Sequence, residues 1–461
     1  MHYSYTRGAA ISALLLLGCG PAQALEYKLT TLFSAERSDN IGRASEGSGL
    51  VQNDTVLRPT LRGTADHEAK NLLLSADYLV EHRIYTQEVF DDRTRWTGRA
   101  DLRWDAVPEF LQFNATNSRT ETTEDSLIQN TETNRQVTSV TSLGPTISFH
   151  PRASDRLSLE YRYSDISQGQ TSSVPTILEN DPLINADSER QTLTLAYEMG
   201  FTENRSLTAE LSRDQVDFSQ NAPELEIDTA SLFYSSKGDA LEVDARAGYT
   251  TIDRTLGRDK VDGFIGSLNL IWRVTGSGEI ELRARRTIND QSEDVRRGNA
   301  GFGQGAVFGN SNINEVFDED TIRLSYTHQW GRNRASLAYN MQNRDFDDDA
   351  FVAGQSRDEE ENGFSAFYTR RVRPNVDLRL GAGFLERDFD ARGVNGDFLT
   401  ANLRVDWQIA RTLGLFGGMR FEERETTGAS ILAGQLSFDE FVYFLGFSFD
   451  LVNRYQLPQQ R

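Results

Sequence analysis

RTRWTGRADLRWD, residues Arg93 to Asp105, alternates without a break. Trp96, Gly98, Ala100, Leu102 and Trp104 fall on one face, and Arg95, Arg99, Asp101, Arg103 and Asp105 on the other. Successive side chains of a strand point to opposite faces, so a period of two over this length predicts a β-strand with one apolar and one charged surface. Val376 to Phe389 repeats the design, with Val376, Leu378, Leu380, Ala382 and Phe384 opposed to Asp377, Arg379, Gly381 and Arg387. Leu399 to Ile409 does so again, as do Leu157 to Tyr163 and Leu241 to Tyr249. Continued along the chain, the pattern predicts about twenty strands, within a range of about 18–22, an even count being usual for single-chain membrane barrels.

The connections alternate in length. Short ones fall at Asp66-His67-Glu68, Ala106-Val107-Pro108, Pro151 to Ser154, Ser236 to Asp239, Thr275 to Gly278, Gly331 to Asn333 and Arg373-Pro374-Asn375, several built from ordinary turn residues. Between them lie longer polar segments: Ser38 to Asn53, Glu121 to Asn134, Ser167 to Asp187, Gln291 to Asn314 and Asp390 to Asn395. Short periplasmic turns and long extracellular loops are the habit of outer-membrane barrels. The expected fold is therefore all-β, a single transmembrane antiparallel barrel with both strand termini on the periplasmic side.

Four of the five tryptophans, Trp104, Trp272, Trp330 and Trp407, stand near the end of an alternating stretch just before a short turn. That is where interfacial aromatics belong in a spanning barrel. A soluble sandwich also alternates, but it has no need of tryptophans at one level, and so many strands in one series exceed an ordinary open sheet.

Composition agrees. Hydrophobic residues make up 38% of the chain, and no apolar run long enough for a helical span follows the first residues. A barrel needs only every second residue to be apolar. The formal charge of −21 argues against a nucleic-acid partner. Four basic residues are lysines (Lys28, Lys70, Lys237 and Lys260), and the others are arginines.

Residues 1–24 read as a secretory signal: Arg7, an apolar stretch from Ala9 to Leu17, and a small-x-small site at Ala22-Gln23-Ala24. The alternative is lipidation at Cys19, which follows Leu16-Leu17-Gly18. Cleavage after Ala24 removes the one cysteine, and with it disulfide and thiolate chemistry. The barrel is expected over 25–452 and a short periplasmic tail over 453–461. The last strand carries Phe441, Tyr443, Leu445, Phe447, Phe449 and Leu451 on one face. Gly446, Phe449 and Leu451 resemble the C-terminal signal read by the barrel-insertion machinery, although the chain runs on to Arg461.

The charged face is the expected lumen. Its candidates are Arg99, Asp101, Arg103, Arg162, Arg246, Arg283, Arg285, Arg323, Arg379, Arg404 and Arg420, with Glu160, Asp244, Glu281, Asp406 and Glu422 among them. Such a lining selects solutes or contacts a sugar chain; it also stiffens the wall, because arginine and carboxylate form multidentate pairs. Ser167 to Asp187 and Gln291 to Asn314 are the loops that have the length to fold inward. Catalysis has little support: His67, His82, His150 and His328 fall in different hairpins, and no HExxH or GxSxG occurs. Asp318 to Asp320 and Asp358 to Glu361 form no calcium loop. No enzyme, cofactor or metal is expected.

The layout over residues 25–461 resembles the outer-membrane β-barrel proteins encoded with bacterial exopolysaccharide biosynthesis and PEP-CTERM protein-sorting gene clusters. The likeness lies in the opening Tyr27 to Asn40, the early strand Val56-Leu57-Arg58-Pro59-Thr60-Leu61 and the long arginine-bearing hairpins. It implies a passive route or guide for secreted polysaccharide across the outer membrane of a Gram-negative bacterium. The implied partners are outer-membrane lipid, the insertion machinery, the polysaccharide and periplasmic export components. A non-conducting structural or polymer-binding barrel is the alternative.

Overall fold

The computed structural model describes residues 25–45, 48–123, 131–169, 187–219, 224–255, 260–290, 316–346, 358–389, 394–428 and 437–454. They form twenty strands and one 3-10 turn. The strands are β1 (Leu25–Ser38), β2 (Asp54–Ala69), β3 (Leu72–Tyr85), β4 (Arg93–Val107), β5 (Leu111–Thr123), β6 (Arg135–Phe149), β7 (Asp155–Gly169), β8 (Ser188–Thr202), β9 (Arg205–Phe218) and β10 (Leu225–Lys237). They continue as β11 (Leu241–Arg254), β12 (Val261–Thr275), β13 (Gly278–Asp290), β14 (Val316–Trp330), β15 (Asn333–Phe346), β16 (Glu359–Arg373), β17 (Val376–Phe389), β18 (Val394–Ala410), β19 (Leu413–Gly428) and β20 (Phe438–Arg454).

Each strand pairs antiparallel with the next, and β1 closes on β20 with Phe33 opposite Phe447. Closure gives every strand two partners, so the backbone donors and acceptors of the wall need no water and no edge is left. Twenty strands about 4.8 Å apart and tilted by about 40° enclose a backbone cylinder about 40 Å across.

One end carries connections of two to five residues, and at the other all are of six residues or more except the four between β17 and β18. The Asp66-His67-Glu68 turn needs correction. These polar residues continue the strand, opposite Ser75, Leu74 and Leu73, and the chain reverses at 70–71. A turn-like composition lost to ladder pairing there. The Ala106-Val107-Pro108 turn is displaced too, since Ala106 and Val107 end β4 and the chain reverses at 108–110. The other short turns lie within about two residues of the sequence reading, as at 331–332, where Gly331 supplies a φ of +55°.

The outer face is apolar. Leu193, Leu232, Phe264, Leu337, Phe364 and Leu445 are all exposed there. On β4, β12 and β18 a bulge follows close behind the tryptophan, at Asp105/Val107, Arg273/Thr275 and Gln408/Ala410. A bulge sharpens the twist and ends pairing, which suits the approach to a tight turn. Strands of 13–17 residues rise about 35–40 Å at this tilt, taller than an apolar belt of about 25 Å. The excess lies at the long-loop end, where charged residues such as Glu226, Asp228, Asp253 and Lys260 replace apolar ones and are exposed.

Candidate functional site: the charged lumen

Strand alternation sends the eleven charged candidates to the inner face, opposite Leu102, Leu380, Val405 and their like. In the half nearer the short turns the side chains of this wall are exposed. The Arg99 side chain is 67% exposed and that of Arg283 58% exposed, and both keep a carboxylate beside them. The pairing is local. Arg99 donates to Asp101 at 2.6 Å, Arg162 to Glu160 at 2.5 Å, Arg283 to Glu281 at 2.6 Å, Arg404 to Asp406 at 2.8 Å, and Arg420 lies 3.0 Å from Glu422. Each partner is two residues away on the same strand, so it points the same way. Arg103 reaches Asp105 at 3.3 Å, while Arg246 crosses to Glu210 on β9 at 2.5 Å. Arg379 lies 3.5 Å from Asp406.

Two like-charged pairs stand directly across the ladder, Arg283 opposite Arg323 and Arg379 opposite Arg404. Arg285 follows Arg283 two residues along β13. Like charges facing each other disfavour the sheet; the carboxylates of Glu281 and Asp406 lie beside these arginines and offset the repulsion.

The half nearer the long loops is different. Many of its inward side chains are buried, some paired within the wall, as Arg387 with Glu361 and Arg344 with Glu319, and others held by three inward-turned segments. The first is the 3-10 turn Glu132–Asn134, which precedes β6. Glu132, 6% exposed, accepts from Arg83 on β3 and Arg95 on β4, while its carbonyl accepts from Arg93 at 3.1 Å. Glu81, Glu121 and Arg135 complete a network of three arginines and three carboxylates. Burial by itself would raise the Glu132 carboxyl, but Arg83, Arg135 and Arg95 outweigh it and hold the group down at about 2.

The second segment follows β1. Arg43 binds Glu422 and, at 3.0 Å, Glu440, two carboxylates that face each other across β19 and β20. Asn40 donates to the Ala44 and Asp439 carbonyls.

The third is the end of the β13–β14 hairpin. Ile288, Asn289 and Asp290 are all buried, as are Val316 and Phe317, so both faces of the hairpin are covered and it turns in over the lumen. Asp290 accepts from Arg190 on β8 at 2.9 Å, five strands around the wall, and Arg190 also donates to Asp214 at 3.0 Å. Val216, Phe218, Leu225, Ile227 and Ile252 pack with Ile288 and Val316 as an apolar cluster on this inner wall.

Of these anchors the sequence candidates included Glu422, the partner of Arg43, and none of Glu132, Arg43, Arg190 or Asp290. Parity alone put Arg95 on the charged face, but nothing local marks Glu132, Arg190 or Asp290 as their partners' keepers. The candidate stretches within 170–186 and 291–315 lie outside the described residues.

Trp104, Trp272, Trp330 and Trp407 lie on the outer face near the short turns, each 43–47% exposed. Trp104 stacks on Phe113 at 5.6 Å, and Trp330 on His328 at 5.2 Å. Phe449 and Leu451 are exposed on the outer face of β20. Gly446 faces inward, and a Cβ there would stand 2.4 Å from the Phe416 ring, so the close approach of that ring requires glycine. Among the described residues no group of three or more His, Cys, Asp or Glu is arranged to hold a metal ion.

This barrel is similar to solved structures of the FrpB iron transporter from Neisseria meningitidis. The apoprotein form of the F5-1 variant aligns over 92% of this chain and 81% of that one, at 7% identity and a TM-score of 0.51. The F3-3 variant aligns over the same shares at 8% identity and a TM-score of 0.50. The siderophore receptor PirA from Pseudomonas aeruginosa aligns over 94% of this chain and 81% of that one, at 11% identity and a TM-score of 0.48. No family profile matches the chain, and no curated protein matches it by sequence. At such identities the likeness is one of fold. The closed twenty-stranded wall and its apolar outer face have the fold of a Gram-negative outer-membrane β-barrel, as in the FrpB structures.

Proposed function

We propose that the chain is a passive outer-membrane channel, narrowed at its loop-side mouth, and that its solute is a secreted polysaccharide. The observation that carries the channel reading is the water-exposed, charge-lined wall of the turn-side half. A barrel of this strand count encloses more space than wall side chains fill. Arginines at Arg283, Arg285, Arg323, Arg379 and Arg404 favour polar or anionic solutes. The polysaccharide comes from the family resemblance, as do the periplasmic export partners. FrpB is named as an iron transporter, and a shared fold at 8% identity assigns no iron-binding residue here.

Within this reading residues 1–24 are a leader and 25–452 the barrel, which Asn453 and Arg454 extend by pairing with Lys28 and Tyr27, and the residues beyond are a periplasmic tail. Trp104, Trp272, Trp330 and Trp407 sit at the headgroup boundary, and Gly446, Phe449 and Leu451 serve recognition by the insertion machinery. Purified protein in planar bilayers should give stable ion-conducting steps. Insertion without conductance overturns the channel. That result would favour a second reading, a sealed barrel that holds polymer or a partner at its loops, which the Arg190–Asp290 and Glu132 anchors across the mouth support.

A further inference from the structure

The inner wall of β13–β16, close to the short turns, carries a groove that conduction alone does not use. A cavity of about 220 Å³ opens between these four strands, bordered by Glu279, Glu281, Arg323, Arg334, Ser365 and Phe367. A second cavity of about 560 Å³ shares Glu279 and Arg334 and runs on to the turns at 276–277 and 331–332. Together they lead from the barrel rim up to Phe367.

Phe367 is the unusual member. Alternation places it on the inner face with Ser365, yet it is 53% exposed. The other large exposed aromatics within the described strands lie on the outer face, where lipid covers them. An uncovered ring on a wet polar wall is a surface available to a ligand. Around it the polar groups are unevenly satisfied. Glu281 is engaged by Arg283 at 2.5 Å, whereas Glu279, among the described residues, has Arg273 alone as an ion-pair partner, at 3.8 Å. Arg334 is exposed and has no ion-pair partner among the described residues.

A ligand that uses this site must offer an apolar ring face to Phe367, hydrogen-bond donors to Glu279, and an anionic acceptor to Arg334. A flat aromatic acid supplies the first and third and leaves Glu279 and the serine hydroxyls without donors or acceptors. A sugar ring bearing a carboxylate supplies all three, since hydroxyls both donate and accept and guanidinium binds carboxylate through paired N–H groups. We propose that this groove is a subsite for an acidic saccharide, with the ring of a uronate unit over Phe367 and its carboxylate on Arg334. The proposal rests on one part of the proposed function, a turn-side lumen open to solvent, through which the ligand reaches the groove.

The test is calorimetry on the full barrel in detergent, with trigalacturonate as probe and maltotriose as the neutral comparison. The wild-type barrel should bind trigalacturonate more tightly. F367A should weaken both by about tenfold, in the range expected for losing one stacked ring, and F367W should restore binding. R334Q should remove the preference for the acidic probe. Absent binding of trigalacturonate, or equal binding by wild type, F367A and R334Q, overturns the subsite. Bilayer recordings separate this from the channel reading. Conductance without saccharide binding overturns the subsite alone, and binding without conductance supports the subsite and overturns the channel.

Discussion

Arginine does opposite things at the two ends of this lumen. Near the short turns it pairs with a carboxylate two residues along its own strand, and both stay in water, as with Arg99 and Asp101 or Arg404 and Asp406. Near the long loops it is buried and holds a carboxylate from a distant part of the chain: Arg190 and Asp290 are 100 residues apart, Arg43 and Glu440 are 397 apart. Exposed pairs contribute little to stability, about 0–1 kcal/mol, and remain free to meet a solute. Buried pairs become costly when broken, because the surviving charge has no water to turn to. On the proposed channel reading, the same residue type serves passage in one half of the barrel and closure in the other.

Glu132 offers the hardest test of that contrast. E132Q keeps the shape of the side chain and removes one of three carboxylates from the network, leaving Arg83, Arg95 and Arg135 against Glu81 and Glu121. Breaking a buried pair costs about 3–5 kcal/mol, enough to release the 3-10 turn. Faster proteolytic cutting between β5 and β6, with a larger unit conductance, is the expected result. A variant indistinguishable from wild type in both would show that the buried network does not hold the mouth.

Acid should do reversibly what that substitution does for good. The Glu132 carboxyl is held at about 2 against an ordinary value of 4.5. A depressed folded-state value means that the charge favours the inward-turned state above pH 4.5, and that this contribution is lost as pH falls from 4.5 toward 2. The same proteolytic susceptibility should rise across that window in wild type. In E132Q it should already be high and lack this step.

How far the sequence reveals the site follows the same division. The barrel was legible because its signal is local: alternation over Arg93–Asp105 or Val376–Phe389 needs only neighbouring residues to be read, and alternating connection lengths set the two ends apart. The turn-side wall was legible too, since an arginine two residues from an acid on one strand must share its face. The mouth was not. Glu132 meets Arg83 across 49 residues of chain, and no spacing rule links them. Phe367 escaped notice for another reason. In a strand where Phe364 and Tyr368 point outward, one further aromatic reads as more of the lipid-facing surface until parity is counted.

The smallest effect on stability belongs to the turn-side wall, and there the comparison can be sharpened by a null result. R99Q removes a guanidinium that is 67% exposed and whose partner Asp101 is 42% exposed. Both ends of that pair are solvated, so unfolding should shift by no more than about 1 kcal/mol. The freed Asp101 charge nonetheless stands in the lumen, and the reversal potential under a KCl gradient should move toward cations. The shift should fade in about 1 M salt, where charges are screened beyond about 3 Å. If R99Q instead destabilised the barrel as strongly as E132Q, the arginines of the two halves would be doing the same structural work. The division between a wall that meets solutes and a mouth that is tied shut would then have no energetic basis.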